Sequence, residues 1–505
     1  MSTEGTVERE VKLGVWPGFA LPDLRGTFDG VVAGAPQERR LEAVYFDTPD
    51  LRLLRRGVTL RFRRGEEPQE LWTVKLAEEA PAVGLSRREI SVPSGPSTIP
   101  VALEDLVRGW ALGDSLVPVA RLRTVRNRTI LRGHNRAPVA EIDDDEVSIL
   151  QGSRVAARFR ELEVELIDGA PPKLLDRVAG QLRAAGAQPV DQIPKVVRAL
   201  GPSALAPWDL AVPELGARPT AAELITAGLI ASAARLVDHI AIVVLDEDVE
   251  GVHQARVGIR RLRSDLWTAR SLLDHGVVRS LRRELRWLMG HFGEVRDLDV
   301  LLERLPKDLR LLDQYARGGA EDVLAEGAKD RAAAYEALRG ALRTQRCGDL
   351  LGETARIATA PPFKGRAVQN PAAEVVPKLV KKPLADLRRD AKKLGPAPDD
   401  ESLHRLRIDA KRVRYATELA APVVGKKARQ AARGLAQVQD VLGDHHDATA
   451  AAVRLRALGP RTGPAGVWAA GLLGGLAIAR AAEDRDRFQS VWARAAAPER
   501  WRWAE

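Results

Sequence analysis

A basic pattern that begins with a histidine occurs twice in the second half of this chain. Both copies follow the spacing i, i+3, i+7, i+10; they comprise His253, Arg256, Arg260 and Arg263, and then His404, Arg407, Lys411 and Arg414. At about 3.6 residues per turn, four such positions share one helical stripe roughly 80° wide. Like charges at this spacing destabilise an isolated helix. The pattern therefore predicts two helices that present matching cationic faces to a polyanion.

The similarity between the two copies continues downstream. Gly293, Arg296 and Asp297 follow the first histidine, and Gly443, His446 and Asp447 follow the second at nearly the same distance. Apolar spacing is helical almost throughout residues 220–500, apart from a break rich in Pro and Gly at about 359–374. An internal duplication explains both observations, so we expect two helical lobes at about 220–358 and 375–500.

Residues 5–200 have a different periodicity. Short segments such as VEREVKLGV, GVTLRFRR and FRELEVEL alternate between apolar and charged residues, which predicts strands with one charged face. Segments around Leu103–Trp110 and Leu174–Ala185 are predicted to be helices. The stretch 201–219, rich in Ala, Pro and Gly, reads as a linker. The chain is thus predicted to be a multidomain α+β protein.

Both signs of charge line the predicted strand faces. The acidic set comprises Glu8, Glu10, Glu141, Asp143, Asp145, Glu161, Glu163 and Glu165, with Lys12 beside the first two. The basic set comprises Arg61, Arg63, Lys75, Arg87, Arg126 and Arg128. Grouped carboxylates suit Mg²⁺ or Mn²⁺, and guanidinium groups bind phosphate oxygens in pairs. If the sheet closes into a barrel, a polyphosphate with metal ions would satisfy both sets; the alternative is a solvated face of salt bridges.

Several of these segments, in their order, resemble the CYTH or triphosphate tunnel metalloenzyme superfamily. They are Glu8-x-Glu10-x-Lys12, YFDTPDLRLLRRGVTLRFRR, LWTVKL, FRELEVEL and IPKVVRAL, where Lys195 is kept while Pro194 and Val196 replace the usual Ser and Tyr. The resemblance implies a closed eight-stranded antiparallel tunnel with flanking helices, which hydrolyses a triphosphate with Mg²⁺ or Mn²⁺.

The CYTH resemblance also implies roles for individual residues. Metal ligands would be Glu8, Glu10, Asp145, Glu163 and Glu165, and the catalytic set would be Glu8, Glu10 and Lys12. Phosphate would be bound by Lys12, Arg61, Arg63, Lys75, Arg87, Arg126, Arg128 and Lys195. Ser91 stands where members often carry a second acid, and the choice between Asp143 and Asp145 as the residue facing the lumen stays open.

Residues 220–500 resemble the CHAD family, the conserved-histidine α-helical domain that often follows a CYTH domain. VHQARVGIRRLR, LHRLRIDAKRVR, GEVRDLD and LGDHHDA carry the likeness. It implies two pseudo-symmetric four-helix bundles whose basic helices line a shared surface that binds inorganic polyphosphate. A metal site at His445, His446 and Asp447 is the less favoured alternative, because adjacent helical residues point about 100° apart. Arg296, Asp297 and Asp447 are expected instead to pair with the basic helices and orient them.

The composition narrows the remaining function classes. A single cysteine, Cys347, excludes an internal disulfide and a cysteine-rich zinc site, and aromatic residues make up only 4 % of the chain, which disfavours base stacking on aromatic platforms. No apolar leader opens the sequence, and the longest apolar run, 466–479, is interpreted as a core helix. We expect a cytoplasmic protein, with polyphosphate granules as a candidate location, and no membrane partner.

Three function hypotheses follow from these residues. The first is metal-dependent hydrolysis of inorganic triphosphate or short polyphosphate, with polyphosphate bound by the C-terminal half. The second is a scaffold that binds polyphosphate without turning it over, and the third is nucleic-acid binding by the basic stripes. A hydrolase or cyclase that acts on an organic triphosphate is a further alternative for the N-terminal half.

Overall fold

The computed structural model describes residues 6–504 except 23, 25–30, 66–69, 78–84, 134–135, 168, 192 and 396–397. The chain divides into two compact units, of which the first ends at Trp208 and the second begins at Asp209. This boundary lies inside the segment 201–219 that the sequence predicts as a linker. The first unit contains the sheet and the second is helical, so the α+β prediction is confirmed at that level.

Ten antiparallel strands form one sheet in the described part of the first unit. They are β1 Thr6–Gly14, β2 Val32–Ala33, β3 Gln37–Asp47, β4 Thr59–Arg64, β5 Leu71–Ala77, β6 Leu85–Pro93, β7 Val117–Arg132, β8 Pro138–Gln151, β9 Arg154–Leu166 and β10 Gln188–Pro189. Four helices flank them: α1 Arg52–Arg55, α2 Val101–Ala111, α3 Lys173–Ala184 and α4 Lys195–Leu200. Helices α2 and α3 confirm the two that were predicted.

The sheet departs from the predicted closed tunnel at β1. Residues Thr6–Glu10 of this strand pair with β6, whereas Arg9–Gly14 pair with β9 on the other side. The described part of β6 begins at Leu85, which lies opposite Glu10, and beyond that point only the two-residue β10 occupies this edge of β1. The sheet is therefore not continuously closed: two long neighbours flank β1 only at Arg9 and Glu10.

The apolar face of the strands packs under α3. Val11 and Leu13 of β1, together with Ile142, Leu162 and Val164 from β8 and β9, join one buried cluster. Helix α3 covers this cluster with Leu174, Leu175, Val178 and Leu182. Because side chains alternate along a strand, burying this set against α3 turns the charged set of the same strands to the opposite face.

Nine α-helices make up the described part of the second unit. They are α5 Ala221–Leu245, α6 Val249–Thr268, α7 His275–Leu309, α8 Gln314–Leu342, α9 Gln345–Thr359, α10 Ala372–Lys392, α11 Asp400–Val424, α12 Lys426–Leu458 and α13 Pro464–Ala495. One buried cluster unites Leu301 of α7, Val323 of α8, Leu455 of α12 and Leu473 of α13. The two predicted lobes thus share a core, while their arrangement as two four-helix bundles stays a prediction.

Two of these helices are long and apolar enough to cross a membrane by length and composition alone: Ala221–Leu245 and Pro464–Ala495. The buried core helices of globular proteins are often as long and as apolar. In α5, Leu229, Leu236 and Ile240 are fully buried inside the unit. In α13, Ala469 and Leu473 are buried as well. The run 466–479 therefore packs one face into the core, as predicted for a core helix.

Helices α5 and α6 approach closely at Gly258, which lies between the cations of the first stripe. A Cβ atom on Gly258 would lie 2.7 Å from the Leu236 backbone nitrogen and 3.1 Å from the Ser232 carbonyl oxygen. These are backbone atoms, so no side-chain rotation can relieve the contact. A glycine at this position sets the distance of the stripe from α5.

We expect Gly258→Ala to lower the free energy of unfolding by about 1–3 kcal/mol, because the added methyl group overpacks the α5–α6 contact. Gly290→Ala on α7 is the control, since nothing lies within 4 Å of its Cβ position. That change should raise stability by up to about 1 kcal/mol through helix propensity. Urea unfolding of the full chain, followed by far-UV circular dichroism, would measure both. Equal effects from the two substitutions would contradict the close-contact interpretation.

Candidate functional site

The charged strand faces of the first unit line a cavity of about 250 Å³. Predicted site residues that line it are Glu10, Lys12, Arg61, Arg63, Lys75, Arg126, Arg128, Glu163, Glu165 and Lys195. They come from β1, β4, β5, β7, β9 and α4, which are far apart in the sequence. The sheet thus brings together acids and bases that the sequence analysis assigned to metal and to phosphate, respectively.

Strand register arranges the acids in rows. In the first row, Glu10 of β1 lies opposite Glu165 of β9, and Glu165 lies opposite Glu141 of β8. Directly opposite like charges destabilise a sheet, so three neighbouring carboxylates favour a bound cation. The protein compensates part of this charge, since Arg128 Nη1 lies 3.0 Å from Glu141 Oε2 and Lys12 Nζ lies 3.5 Å from Glu10 Oε1. In the next row, Lys12 lies opposite Glu163 and already supplies a positive charge. The row of Glu10, Glu165 and Glu141 is called the acidic row below.

A second group of charges is neutralised within the protein. Lys195 Nζ lies 2.9 Å from Asp145 Oδ2 and 2.6 Å from Glu163 Oε2. Arg126 donates two hydrogen bonds to Asp145, at 2.8 and 2.7 Å, and one to Glu163 at 3.2 Å. Lys12 forms a further ion pair with Glu163. Asp145 is fully buried and is not among the residues that line the cavity, so its placement favours support of Arg126 and Lys195 over metal ligation.

These ion pairs dominate the protonation of the buried acids. Burial alone would raise the pKa of Glu163, but Lys12, Lys195 and Arg126 outweigh it and hold that pKa well below its usual range. The pKa of Asp145 is likewise lowered, because Lys195 and Arg126 outweigh the effect of burial. For the same reason the pKa of Lys195 rises despite burial, through Asp145, Glu163 and Glu161. The network is therefore fully ionised near neutral pH.

Two predicted site residues have side chains outside the described part of the chain, and several cavity residues, among them Tyr45, were not predicted. The side chains of Glu8 and Arg87 lie outside the described residues, although their backbones pair with each other across β1 and β6. Tyr45 lines the cavity but was not predicted to do so. Alternation along β3 places it on the same face as the apolar Leu41 and Ala43, so nothing in the alternation indicated a polar site there. Burial favours its neutral form, yet the nearby Arg61 lowers the pKa of Tyr45 overall.

The donor chemistry of the acidic row fits a hard divalent ion such as Mg²⁺ or Mn²⁺. Glu10, Glu141 and Glu165 all line the cavity and carry oxygen donors only. In the described part of the chain, however, no three His, Cys, Asp or Glu side chains are already grouped at a spacing that would hold a metal. A metal would therefore have to draw these carboxylates together.

The two basic stripes of the second unit meet at one surface. Arg256 and Arg260 from α6 and Arg407 and Lys411 from α11 act on each other electrostatically, and Asp447 of α12 is beside them. Arg256 Nη2 lies 3.6 Å from Asp297 Oδ1 on α7, which agrees with the predicted orienting role of that acid. We call Arg256, Arg260, Arg407 and Lys411 the central cation cluster.

The central cation cluster strongly disfavours further positive charge. Burial together with Arg407, Arg260 and Arg256 lowers the pKa of Lys411 to about 6. Burial and the neighbouring Arg407 and His404 lower the pKa of His446 to about 4. The pKa values of Arg256 and Arg407 are lowered too, chiefly by burial. An anion bound here would relieve this repulsion.

The adjacent His445 and His446 point in different directions, as expected for consecutive residues of a helix. His404 and His446 face each other with their Nδ1 atoms 3.3 Å apart. The adjacent His445 turns away, and its Nε2 lies 3.3 Å from Asp400 Oδ1. The pKa of His253 is lowered, first by burial and then by Arg296. Neutral imidazoles thus border the central cation cluster, where they can donate hydrogen bonds without adding charge.

The last positions of the two stripes differ from each other. Arg414 donates to Glu418 and Gln439, both at 3.0 Å, so its guanidinium group is held away from the central cation cluster. Arg263, its counterpart on α6, lies with Arg286 and Arg412 instead. The predicted equivalence of the two stripes therefore holds for the first three positions and ends at the fourth.

Family models match both halves of the chain: a CYTH domain over residues 7–196 and a CHAD domain over residues 227–456. The chain is a CYTH–CHAD protein. The CYTH–CHAD protein is also 32 % identical, over 457 residues, to the uncharacterized protein Rv2226 of Mycobacterium tuberculosis, with 83 % of each chain covered. CYTH domains are triphosphate tunnel domains, and CHAD domains are associated with polyphosphate.

Two solved structures are each similar to part of this CYTH–CHAD protein. The CHAD domain of the plant Ricinus communis is 27 % identical and covers 58 % of this chain and 97 % of its own, with a TM-score of 0.47. PptA of Streptomyces chartreusis is 23 % identical and covers 55 % and 99 %, with a TM-score of 0.45.

The lowered pKa of Glu163 predicts an acid-labile CYTH unit. The stability that Glu163 and Asp145 contribute is complete above the ordinary carboxyl pKa of about 4 and is lost as pH falls through their lower folded-state pKa values. Glu163→Gln should lower stability at neutral pH by about 3 kcal/mol, because Lys12 and Lys195 lose a buried partner, and should flatten the acid dependence. Urea midpoints across pH would test this prediction.

Glu38→Gln is the matched control for that experiment. Glu38 is exposed on β3 and forms an ion pair at 3.1 Å with the exposed Arg40, which solvent screens. The control should retain both the neutral stability and the acid slope of the native chain. An unchanged acid slope in Glu163→Gln would show that other groups govern the acid transition.

Proposed function

We propose that the CYTH unit hydrolyses inorganic triphosphate or short polyphosphate with a divalent metal ion, and that the CHAD unit binds polyphosphate. The observation that carries the proposal is the cavity in which the acidic row of Glu10, Glu141 and Glu165 adjoins Arg61, Arg63 and Lys75. A ligand that combines phosphate oxygens with metal ions would match both sets of charges at once.

The cations of the cavity suit the terminal phosphates of such a substrate. Arg61 and Arg63 alternate along β4 and therefore point to the same side, 6–7 Å apart for alternate strand residues. Lys75 on β5 adds a point charge, with Glu89 Oε2 at 2.9 Å from its Nζ. Together these groups would orient the phosphates and stabilise the charge that develops during phosphoryl transfer.

The acidic row would hold the metal, with Glu10, Glu141 and Glu165 as the ligands that we propose. A divalent ion there would neutralise phosphate charge and lower the pKa of bound water. Asp145 would hold Arg126 and Lys195 in position through its ion pairs with them. Tyr45 would offer a hydroxyl hydrogen bond to phosphate from the β3 side of the cavity.

The CHAD unit supplies the second part of the proposal. The central cation cluster contains three arginines and Lys411, with Asp297 and Asp447 as neighbouring acids, so a polyanion would add favourable charge interactions. Inorganic polyphosphate carries about one charge per phosphate and would release counterions on binding.

We further propose that the protein works in the cytoplasm, where its second unit would keep it associated with polyphosphate, including polyphosphate granules.

Replacement of Arg61 should abolish most of the hydrolysis. We expect Arg61→Gln to lower kcat/KM for tripolyphosphate with Mg²⁺ or Mn²⁺ by about 100-fold, the usual cost of losing one donor to a developing anion. Phosphate release from the full chain would measure it. Glu10→Gln should lower activity as well and should raise the metal concentration needed for half-maximal rate.

Arg64→Gln is the matched control for Arg61→Gln. Arg64 follows on the same strand, but it is exposed and pairs with Glu42 outside the cavity. The control makes the same change of charge and should leave kcat/KM within about twofold of the native value. If the native chain released no phosphate from tripolyphosphate with either metal, the scaffold hypothesis would replace the enzymatic one.

Polyphosphate binding should be accompanied by proton uptake at Lys411. With a pKa of about 6, this amine is mainly neutral at pH 7 in the free protein, and a bound polyanion would raise that pKa. Affinity should therefore increase as pH falls from about 8 to 6, and calorimetry in buffers of different ionisation enthalpy should show the uptake. Lys411→Arg, which stays charged, should bind with less uptake; an equal uptake would contradict the assignment to Lys411.

A further inference from the structure

A second group of arginines lies beside the central cation cluster. It comprises Arg263 of α6, Arg270 in the turn after α6, Arg282 and Arg286 of α7, and Arg412 of α11. Trp267 is at its centre: the Arg270 guanidinium carbon lies 3.8 Å from the centre of the indole ring and that of Arg412 lies 5.3 Å from it. We call these five arginines the Trp267 arginine cluster.

The backbone and the indole ring hold these cations in place. Arg282 Nε donates to the Arg263 carbonyl oxygen at 3.2 Å, which ties α7 to α6. Arg270 donates to the Trp267 carbonyl oxygen at 2.6 Å while its guanidinium group covers the ring. These contacts are with neutral groups, so they orient the arginines without cancelling their charge.

Acidic neighbours compensate only part of this charge. Arg412 donates to Asp409 at 2.7 Å, and Asp386 acts on Arg270. Arg282 has no such partner among its main electrostatic influences: burial and then Arg263, Arg412, Arg286 and Arg270 lower its pKa to about 10. The cluster therefore has a net positive charge that a bound anion would offset.

The two clusters are neighbours on the same two helices. Arg260 of the central cation cluster and Arg263 of the Trp267 arginine cluster are three residues apart on α6, a rise of about 4.5 Å. On α11, Lys411 and Arg412 are consecutive and so point about 100° apart, towards the central cluster and the Trp267 cluster respectively. A flexible polyanion bound at one cluster can therefore continue to the other.

We propose that the Trp267 arginine cluster is a second anion subsite of the CHAD unit, which binds the continuation of a long inorganic polyphosphate chain. This inference rests on the proposed polyphosphate binding and deepens it. A short chain fills the central cation cluster alone, whereas a long chain contacts both clusters. The unit then discriminates polyphosphates by length.

The state of Trp267 favours polyphosphate over single-stranded nucleic acid at this subsite. Single-stranded binders stack bases on exposed aromatic rings. Here the Arg270 guanidinium group already covers the indole ring at 3.8 Å. Arginine pairs are well suited to phosphate oxygens and need no base to stack.

The test compares two double variants of α7 in the full-length protein. Arg282→Gln/Arg286→Gln removes two cations of the cluster. Lys307→Gln/Arg310→Gln removes two exposed cations at the C-terminal end of the same helix, about 30 Å further along it, one of which pairs with Glu303. Binding of size-fractionated long polyphosphate and of tripolyphosphate would be measured by calorimetry over a range of salt concentrations. Arg286→Glu alone, at an exposed position, is the variant to use if the loss of the Arg282 bond to α6 unfolds the protein.

We expect Arg282→Gln/Arg286→Gln to weaken binding of the long chain by at least about tenfold and to leave tripolyphosphate binding unchanged. The slope of the logarithm of the binding constant against the logarithm of the salt concentration should become shallower by about 1.4. This value corresponds to two lost phosphate contacts, each of which releases roughly 0.7 counterions from a single-stranded polyanion. The control should retain affinity for both ligands and most of the slope.

The experiment distinguishes failure of the second subsite from failure of polyphosphate binding as a whole. If the native chain binds long polyphosphate and both double variants bind it equally well, the second subsite is overturned while the proposed function stands. If the native chain binds no polyphosphate, both fail. If single-stranded DNA of matched charge loses more affinity than polyphosphate in Arg282→Gln/Arg286→Gln, the cluster is a nucleic-acid site and the proposal is overturned.

Discussion

The cost of burying charge governs both units of this CYTH–CHAD protein. A charged group removed from water must find an opposite charge or a ligand, since its solvation is lost. In the CYTH unit, Asp145 is fully buried, and Arg126 and Lys195 compensate it at hydrogen-bond distance. Those two cations are then held at the cavity wall, so the buried acid determines the position of two cations that line the cavity.

The CHAD unit handles the same cost in a different way. Its central cation cluster gathers Arg256, Arg260, Arg407 and Lys411 from α6 and α11, and burial with repulsion from the three arginines lowers the pKa of Lys411 to about 6. The protein offers only partial compensation through Asp297 and Asp447. We therefore propose a ligand that carries both metal and phosphate for one unit and a polyanion alone for the other.

Much of this arrangement could be predicted from sequence periodicity. Alternation along β1 and β9 assigned Glu10, Lys12, Glu163 and Glu165 to one face, and the cavity contains all four. Tyr45 was missed because the same alternation grouped it with apolar residues of β3. Continuous closure of the sheet was predicted from resemblance, whereas among the described residues two long neighbours flank β1 only at Arg9 and Glu10. Pairing between distant strands depends on register, which period-two alternation does not specify.

Helical periodicity alone assigned each histidine and its three cations to one stripe, because spacing along a helix fixes the direction of a side chain. Whether those directions converge depends on the neighbouring helices. Arg256 and Arg407 meet across α6 and α11, while Arg414 bonds to Glu418 and Gln439 and Arg263 joins arginines of α7 and α11. Tertiary packing thus decided which cations of the two stripes meet and which point elsewhere. The physical reason is that hydrogen-bond partners on the same and neighbouring helices fix the final direction of a long, flexible side chain.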